Sequence, residues 1–154
     1  MENGGGLDGA EAAPGLTGGC HDNAITMVRQ RATAIVVRGG RVLLVRDRRL
    51  KSPRRYSLPG GGLTEQDEGS SRAAAIRELK EETGLAAGEA EFLFHHQTSH
   101  NNHSVYLMGN VRGRVKLLRS ELDHHIYWDG KSEIDLLYSA RTILKGFGFL
   151  AACE

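Results

Sequence analysis

An α/β or α+β sandwich is the fold class this sequence predicts, and three observations predict it. β-branched and apolar runs flank Gly39-Gly40, helix signals run from Ser70 or Ser71 to Thr83, and a second helical pattern occupies Leu136 to Leu150. Strands interleaved with two separate helices bury their apolar faces by packing helix on sheet. The 154 residues are 40% hydrophobic and 25% charged, enough for one domain with a substantial core and cramped for two. A formal charge of +1 excludes a global field that would draw in a nucleic acid polymer or an anionic membrane. Cys20 and Cys153 lie near opposite ends with no CxxC spacing, which fits a reducing, cytoplasmic setting.

Taken in order, residues 1–23 are rich in Gly and Ala, carry acidic charges and lack a signal-peptide core, so they are expected to be a disordered leader to a single domain over 24–154. Arg31–Val37 and Arg41–Val45 are expected to form two central strands of a hairpin turned at the glycine pair. Arg46–Arg55 carries six basic residues against Asp47 and is interrupted by Pro53, the composition of an exposed basic loop. A short strand at Tyr56–Leu58 should stop at Pro59-Gly60-Gly61-Gly62, where bare backbone can bend sharply or approach a ligand closely. The first helix can be capped by serine, is filled by Ala73–Ala75, buries Ala75, Ile76 and Leu79, and should end at Gly84. Glu89–His96 and Ser104–Val111 read as strands joined by a polar loop over Gln97–His103. Gly146 and Gly148 weaken the end of the last helix. No stretch reaches the roughly 20 apolar residues that a membrane span needs, so a soluble protein is expected.

The chemistry concentrates in Arg77–Leu85, RELKEETGL. On a helix, Glu78, Glu81 and Glu82 fall within an arc of roughly 100°. Like charges so spaced repel, and a hard divalent cation with oxygen ligands would compensate them. Arg77, one turn before Glu81, can pair with a carboxylate and steady the group.

The run PGGGLTEQDEGSSRAAAIRELKEETGL resembles the Nudix box: Gly, five residues, Glu, seven residues, then Arg-Glu-U-x-Glu-Glu-x-Gly-U with U aliphatic. Arg77, Glu78, Leu79, Glu81, Glu82, Gly84 and Leu85 match the second half at every defined position. The loop half is longer by one or two residues: Glu68 lies six positions after Gly62 but nine before Arg77, where the pattern has eight. Glu65, Asp67 and Glu68 therefore all remain candidates for the first-glutamate role. The resemblance implies a Nudix α/β/α sandwich with a mixed β-sheet and a hydrolase that cleaves a diphosphate linked to another moiety, usually in a nucleotide. It also implies Mg²⁺, or Mn²⁺ in its place. Glu81 and Glu82 would be the principal ligands, Glu78 a further ligand or the base that activates water, and a carbonyl of Gly61 or Gly62 would complete the shell. One more acid outside the box is common in the family, and Glu121, Asp123 and Glu133 are the candidates. A homodimer is compatible with the resemblance.

Arg54 and Arg55, nearest the glycine run in the basic loop, are candidate phosphate contacts, since guanidinium forks match phosphate oxygens. Tyr106, Tyr127 and Trp128 are candidates for stacking on a base, although such residues more often fill a core. Six of the seven histidines follow the box, which raises a zinc protein as a rival reading. The other rival is a catalytically silent Nudix module that binds a nucleotide or a protein partner.

Overall fold

The computed structural model describes residues 28–51 and 54–150. The expected leader over 1–23 and both cysteines lie outside the described residues. Eight strands and two α-helices follow in the order β1 (Arg29–Ile35), β2 (Val37–Arg38), β3 (Arg41–Asp47), β4 (Tyr56–Ser57), β5 (Gly60–Gly62), α1 (Ser71–Thr83), β6 (Ala86–Gln97), β7 (Asn101–Arg112), β8 (Leu122–Trp128) and α2 (Tyr138–Phe147). No described helix is long and apolar enough to cross a membrane.

The strands divide into two four-stranded sheets, one ordered β5-β1-β7-β6 and the other built on β3, which pairs with β2, β4 and β8. β1 runs parallel to β7 and the remaining pairs are antiparallel, so the expected mixed α/β sandwich holds. The expected long hairpin does not. Only Val37-Arg38 pairs across the Gly39-Gly40 turn with Arg41-Val42, while β1 leaves for the other sheet before Val36. Four consecutive buried residues in both β1 and β3 explain this, because each strand is covered on two faces and needs its own sheet.

Side-chain alternation assigns the faces of β1. Ala32 and Ala34 pack with Ala74, Ala75 and Leu79 of α1, while Ile35 joins a second core with Val105, Leu44, Ala140, Ile143 and Leu144 of α2. Arg31 and Thr33, in alternation with the two alanines, share the face away from α1. Helix α1 begins as expected, with Ser70 Oγ accepting from the Ala73 N–H at 3.1 Å, and it ends on Gly84 at φ 74°.

Two further expectations are corrected, and one strand is added. The glycine run is not a bend but strand β5, paired with β1 in the register Arg31–Gly62, Ala32–Gly61 and Thr33–Gly60. Absent side chains let it lie where no other strand fits, since a Cβ on Gly60 would stand 2.3 Å from the Ala32 carbonyl oxygen. The polar loop expected over Gln97–His103 shrinks to Thr98–His100, because Gln97 pairs with Asn102 and His96 with His103. The segment holding Trp128 is a full strand, β8, with the Trp128 ring in the core and its Nε1 donating to the Ser132 carbonyl at 2.8 Å.

Candidate active site

Helix α1, strand β5 and the chain that follows β7 come together around the carboxylates. Helix α1 packs against β5, placing Glu78 beside Gly61. A Cβ at Gly61 would fall 2.4 Å from the Glu78 carboxylate, so only glycine leaves that space to the carboxylate oxygens. Glu82 is 8% exposed and accepts from the Gly60 N–H at 3.1 Å. The end of α1 then recruits the chain that follows β7, since the Lys116 and Leu118 N–H groups donate to the Thr83 and Glu82 carbonyls at 2.8 and 2.9 Å. These are carbonyls that a helix terminus leaves without partners. The turn closed from Leu118 to Leu122 presents Glu121 toward the helix.

Together these groups line a cavity of about 290 Å³ whose wall includes Glu78, Glu81, Glu82, Glu121, Gly60, Gly61 and Gly62. Of the three outside acids named from sequence, Glu121 alone faces it. Asp123 is held by Arg46 at 2.8 Å and by Arg54, and Glu133 lines a different cavity beside Trp128.

Arg77 is the organising cation. Its Nε and Nη2 donate to the two carboxylate oxygens of Asp67 at 2.8 and 3.0 Å, Nη1 donates to Glu78 and Glu81 at 3.1 and 3.0 Å, and Nη2 also donates to the Gly62 carbonyl at 3.1 Å. These bonds account for all of its N–H groups. Asp67 lies in a 3₁₀ turn over Glu65–Asp67, is 3% exposed and accepts from the Thr64 N–H at 2.8 Å. The hydrogen-bonded Arg77 guanidinium holds its carboxyl down at about 2, despite burial. Asp67 is thus the loop acid that makes the arginine pairing, while Glu65 and Glu68 are exposed. The loop half of the box turns into the helix through this 3₁₀ turn and Glu68 at φ 49°.

Glu82 carries the strongest perturbation. Burial is the main cause, and the neighbouring Glu78 and Glu121 charges add to it, together outweighing the Gly60 hydrogen bond and pushing its pKa up to about 8. Burial raises Glu78 as well, against the pull of Arg77. Hard oxygen donors, a glycine-lined space beside them and a buried carboxylate without a cation in ion-pair contact suit a divalent metal. As they stand, no three acidic or histidine side chains among the described residues converge on one ion position. Arg77 draws Glu78 and Glu81 to itself, and Gly60 draws Glu82.

A second cavity of about 390 Å³ adjoins the first, sharing Arg31, Ser57, Leu58 and Gly60 with it. Thr33, Arg55, His100, His103, Tyr138 and Ile143 are among the residues that line the remainder. Arg55 therefore faces a cavity, whereas its neighbour Arg54 is engaged with Asp123. None of the aromatic residues singled out from sequence reaches this space: Tyr106 bonds through its hydroxyl to Ser71, Tyr127 lies against His125, and Trp128 is in the core. Tyr138, which is 75% exposed at the start of α2, does line it. Nothing in its local sequence signals this, since its place depends on how α2 docks.

The histidines are dispersed. His95 and His103 bond to Ser104 and Thr33 through Nδ1, His124 bonds to the Tyr56 hydroxyl, and His96 stacks at a tilt near His103. Burial chiefly, with the Arg31 charge, lowers the His103 pKa to about 4. The unfolded chain, at about 6.5, then binds more protons between these values, so His103 stability is full above pH 6.5 and falls toward pH 4. Urea titrations of wild type and His103→Gln over pH 4–7 should show a shallower pH slope in the variant, and equal slopes would reject this assignment.

A sequence model described as the NUDIX domain matches residues 28–138. No curated protein sequence matches the chain. Among solved structures, a chain described as a nudix hydrolase family member from Chromobacterium violaceum is 32% identical with a TM-score of 0.66, the match covering 79% of this chain and 77% of that one. The MutT NUDIX hydrolase from Burkholderia pseudomallei shares the fold at 24% identity and a TM-score of 0.64, covering 77% and 96%. An ADP-ribose pyrophosphatase from Streptococcus suis does so at 17% identity and 0.58, covering 79% and 87%. With the helical half of the box intact and its carboxylates gathered at one cavity, this chain belongs to the Nudix hydrolase family, whose members are pyrophosphohydrolases acting on phosphoanhydride bonds.

Proposed function

We propose that the protein is a Mg²⁺-dependent hydrolase, with Mn²⁺ as a substitute, that cleaves the pyrophosphate linkage of a nucleoside diphosphate derivative. The observation that carries this reading is the junction of the two cavities: an acidic one built on Glu78, Glu81, Glu82 and Glu121, and a less charged one of about 390 Å³, large enough for a nucleoside. Bound among those carboxylates, a divalent cation would offset the phosphate charge and acidify water.

The chain's own groups do the rest. Glu81 and Glu82 would hold the metal, with Glu121 as the acid from outside the box. The Gly62 carbonyl has a lone pair left for the same shell beyond its bond to Arg77. Glu78, whose burial raises its proton affinity, accepts the proton that water loses as its oxygen attacks phosphorus. The anhydride P–O bond breaks and its electrons leave with the departing phosphate. Arg77 acts as a positioning residue, since it fixes Glu78 and Glu81 from one guanidinium. Arg55 is the better placed of the two basic-loop candidates for contact with substrate.

The pairing of Asp67 with Arg77 supports the catalytic reading over a catalytically silent module. A homodimer and a cytoplasmic location remain part of the proposal, on family resemblance and composition.

A panel of nucleoside diphosphate derivatives with phosphate detection, run across Mg²⁺ and Mn²⁺ concentrations, tests the activity. Glu121→Gln should raise the Mg²⁺ concentration for half-maximal rate about tenfold or more, as loss of one anionic ligand weakens a hard-cation site. Glu78→Gln should instead lower kcat at saturating Mg²⁺ by about 10²-fold or more, the usual scale for a lost general base. If both variants shift only the metal requirement, Glu78 is not the base.

A further inference from the structure

Among the described residues, two arginines that line the cavities, Arg31 and Arg55, have no carboxylate partner, and of these Arg31 is half-buried while Arg55 is exposed. Arg46, Arg49, Arg54 and Arg77 each have a carboxylate within ion-pair distance, whereas Arg31, half-buried, has neither an ion pair nor a side-chain hydrogen bond among the described residues. Its place is fixed by the sheet, since β1 sets it opposite Gly62 on one side and His103 on the other. It lines both cavities. A guanidinium partly withdrawn from water and left without an acceptor is costly to maintain, and a phosphate would satisfy its planar fork.

We propose that Arg31 grips the diphosphate at the mouth common to the two cavities, so that the scissile linkage lies over the carboxylates and an uncharged moiety fills the second cavity. This inference rests on the reading of the acidic cavity as the metal site. The charge distribution along the two cavities supports it. Carboxylates dominate on one side of Arg31, and on the other the cationic residues are Arg31 and Arg55, with Leu58, Ala140 and Ile143 in the wall. Such a lining suits a nucleoside and provides too few cations for a ring bearing several further phosphates.

Two non-hydrolysable probes separate the parts: methylenediphosphonate, which offers the diphosphate alone, and α,β-methylene-ADP, which adds a nucleoside. Calorimetric titration in Mg²⁺ should show wild type binding the second more tightly. Arg31→Gln should weaken both by about 10- to 100-fold, the scale of a charge-assisted hydrogen bond. Arg31→Lys should recover part of the loss, keeping the charge without the fork. The melting temperature of Arg31→Gln should equal or exceed that of wild type, as an unpaired cation is removed, whereas an arginine needed for structure would lower it. Mn²⁺ affinity, followed by electron paramagnetic resonance, should change less than threefold.

Unchanged probe affinity in Arg31→Gln, with Mn²⁺ bound normally, would overturn the role of Arg31 while leaving the metal site standing. Wild type that neither binds Mn²⁺ nor hydrolyses any panel member would overturn the metal reading and this inference with it. Equal affinity of wild type for the two probes would remove the nucleoside from the second cavity.

Discussion

Glu82→Gln is expected to lower turnover by about 10³-fold while leaving the fold intact. The substitution is nearly isosteric, and the new amide oxygen can still accept from the Gly60 N–H that Glu82 now engages at 3.1 Å. What disappears is a buried negative charge aimed at the proposed metal, and charge placed in a dry site is worth several kcal/mol of transition-state stabilisation. The metal-free protein should even gain from the change. Because the folded pKa of about 8 lies above the ordinary carboxylate value, the contribution of Glu82 to stability is complete at low pH and is lost as pH rises toward 8. Mg²⁺ opposes this by favouring the ionised form, so the rise in wild-type melting temperature with added Mg²⁺ should grow between pH 6 and pH 9. In Glu82→Gln that growth should be much smaller, with the raised Glu78 left to supply the remainder. Near-wild-type turnover, or an unaltered pH dependence of the Mg²⁺ effect, would reject Glu82 as a ligand.

The largest loss of stability should come from Arg77→Met. Asp67 would remain buried with its carboxylate deprived of both guanidinium bonds, and breaking one side of a buried pair costs about 3 kcal/mol or more. In a domain of this size that lowers the melting temperature by about 10 °C. Adding Asp67→Asn should restore part of the stability, since the neutral amide is less costly to bury, yet should restore little activity, because Glu78 and Glu81 would still lack their common donor. Chemical denaturation of the two single variants and the double variant measures the coupling. Strict additivity would mean that Asp67 and Arg77 do not depend on each other. Arg77→Lys should behave more like Met than like Arg, as one ammonium cannot reach Asp67, Glu78, Glu81 and the Gly62 carbonyl together.

How much of this was readable in advance follows from the range over which each feature is decided. Helix α1 was legible in its extent, from a serine cap at Ser70 or Ser71 to Gly84, because capping and helical periodicity are local properties, although Ala74 rather than Ile76 is among its buried residues. The shared face of Glu78, Glu81 and Glu82 follows from that helix alone, and so does the reach of Arg77 to Glu81. Propensity also located β1, β3, β6 and β7, though with ends misplaced, as at Asn101–His103, where polar residues pair regularly with β6.

The sequence by itself therefore determined the family, the helix that carries the candidate carboxylates and the kind of chemistry, all carried by residues within a few turns of one another. The tertiary structure alone decided which distant groups join them. Asp67 rather than Glu68 meets Arg77, Glu121 rather than Asp123 or Glu133 faces the cavity, and Arg31, without an ion pair among the described residues, lies between two cavities. The reason is physical. A helix fixes neighbours through short-range geometry, whereas the place of Glu121 depends on which chain segment satisfies the open carbonyls of Glu82 and Thr83, a question settled only when the whole chain packs.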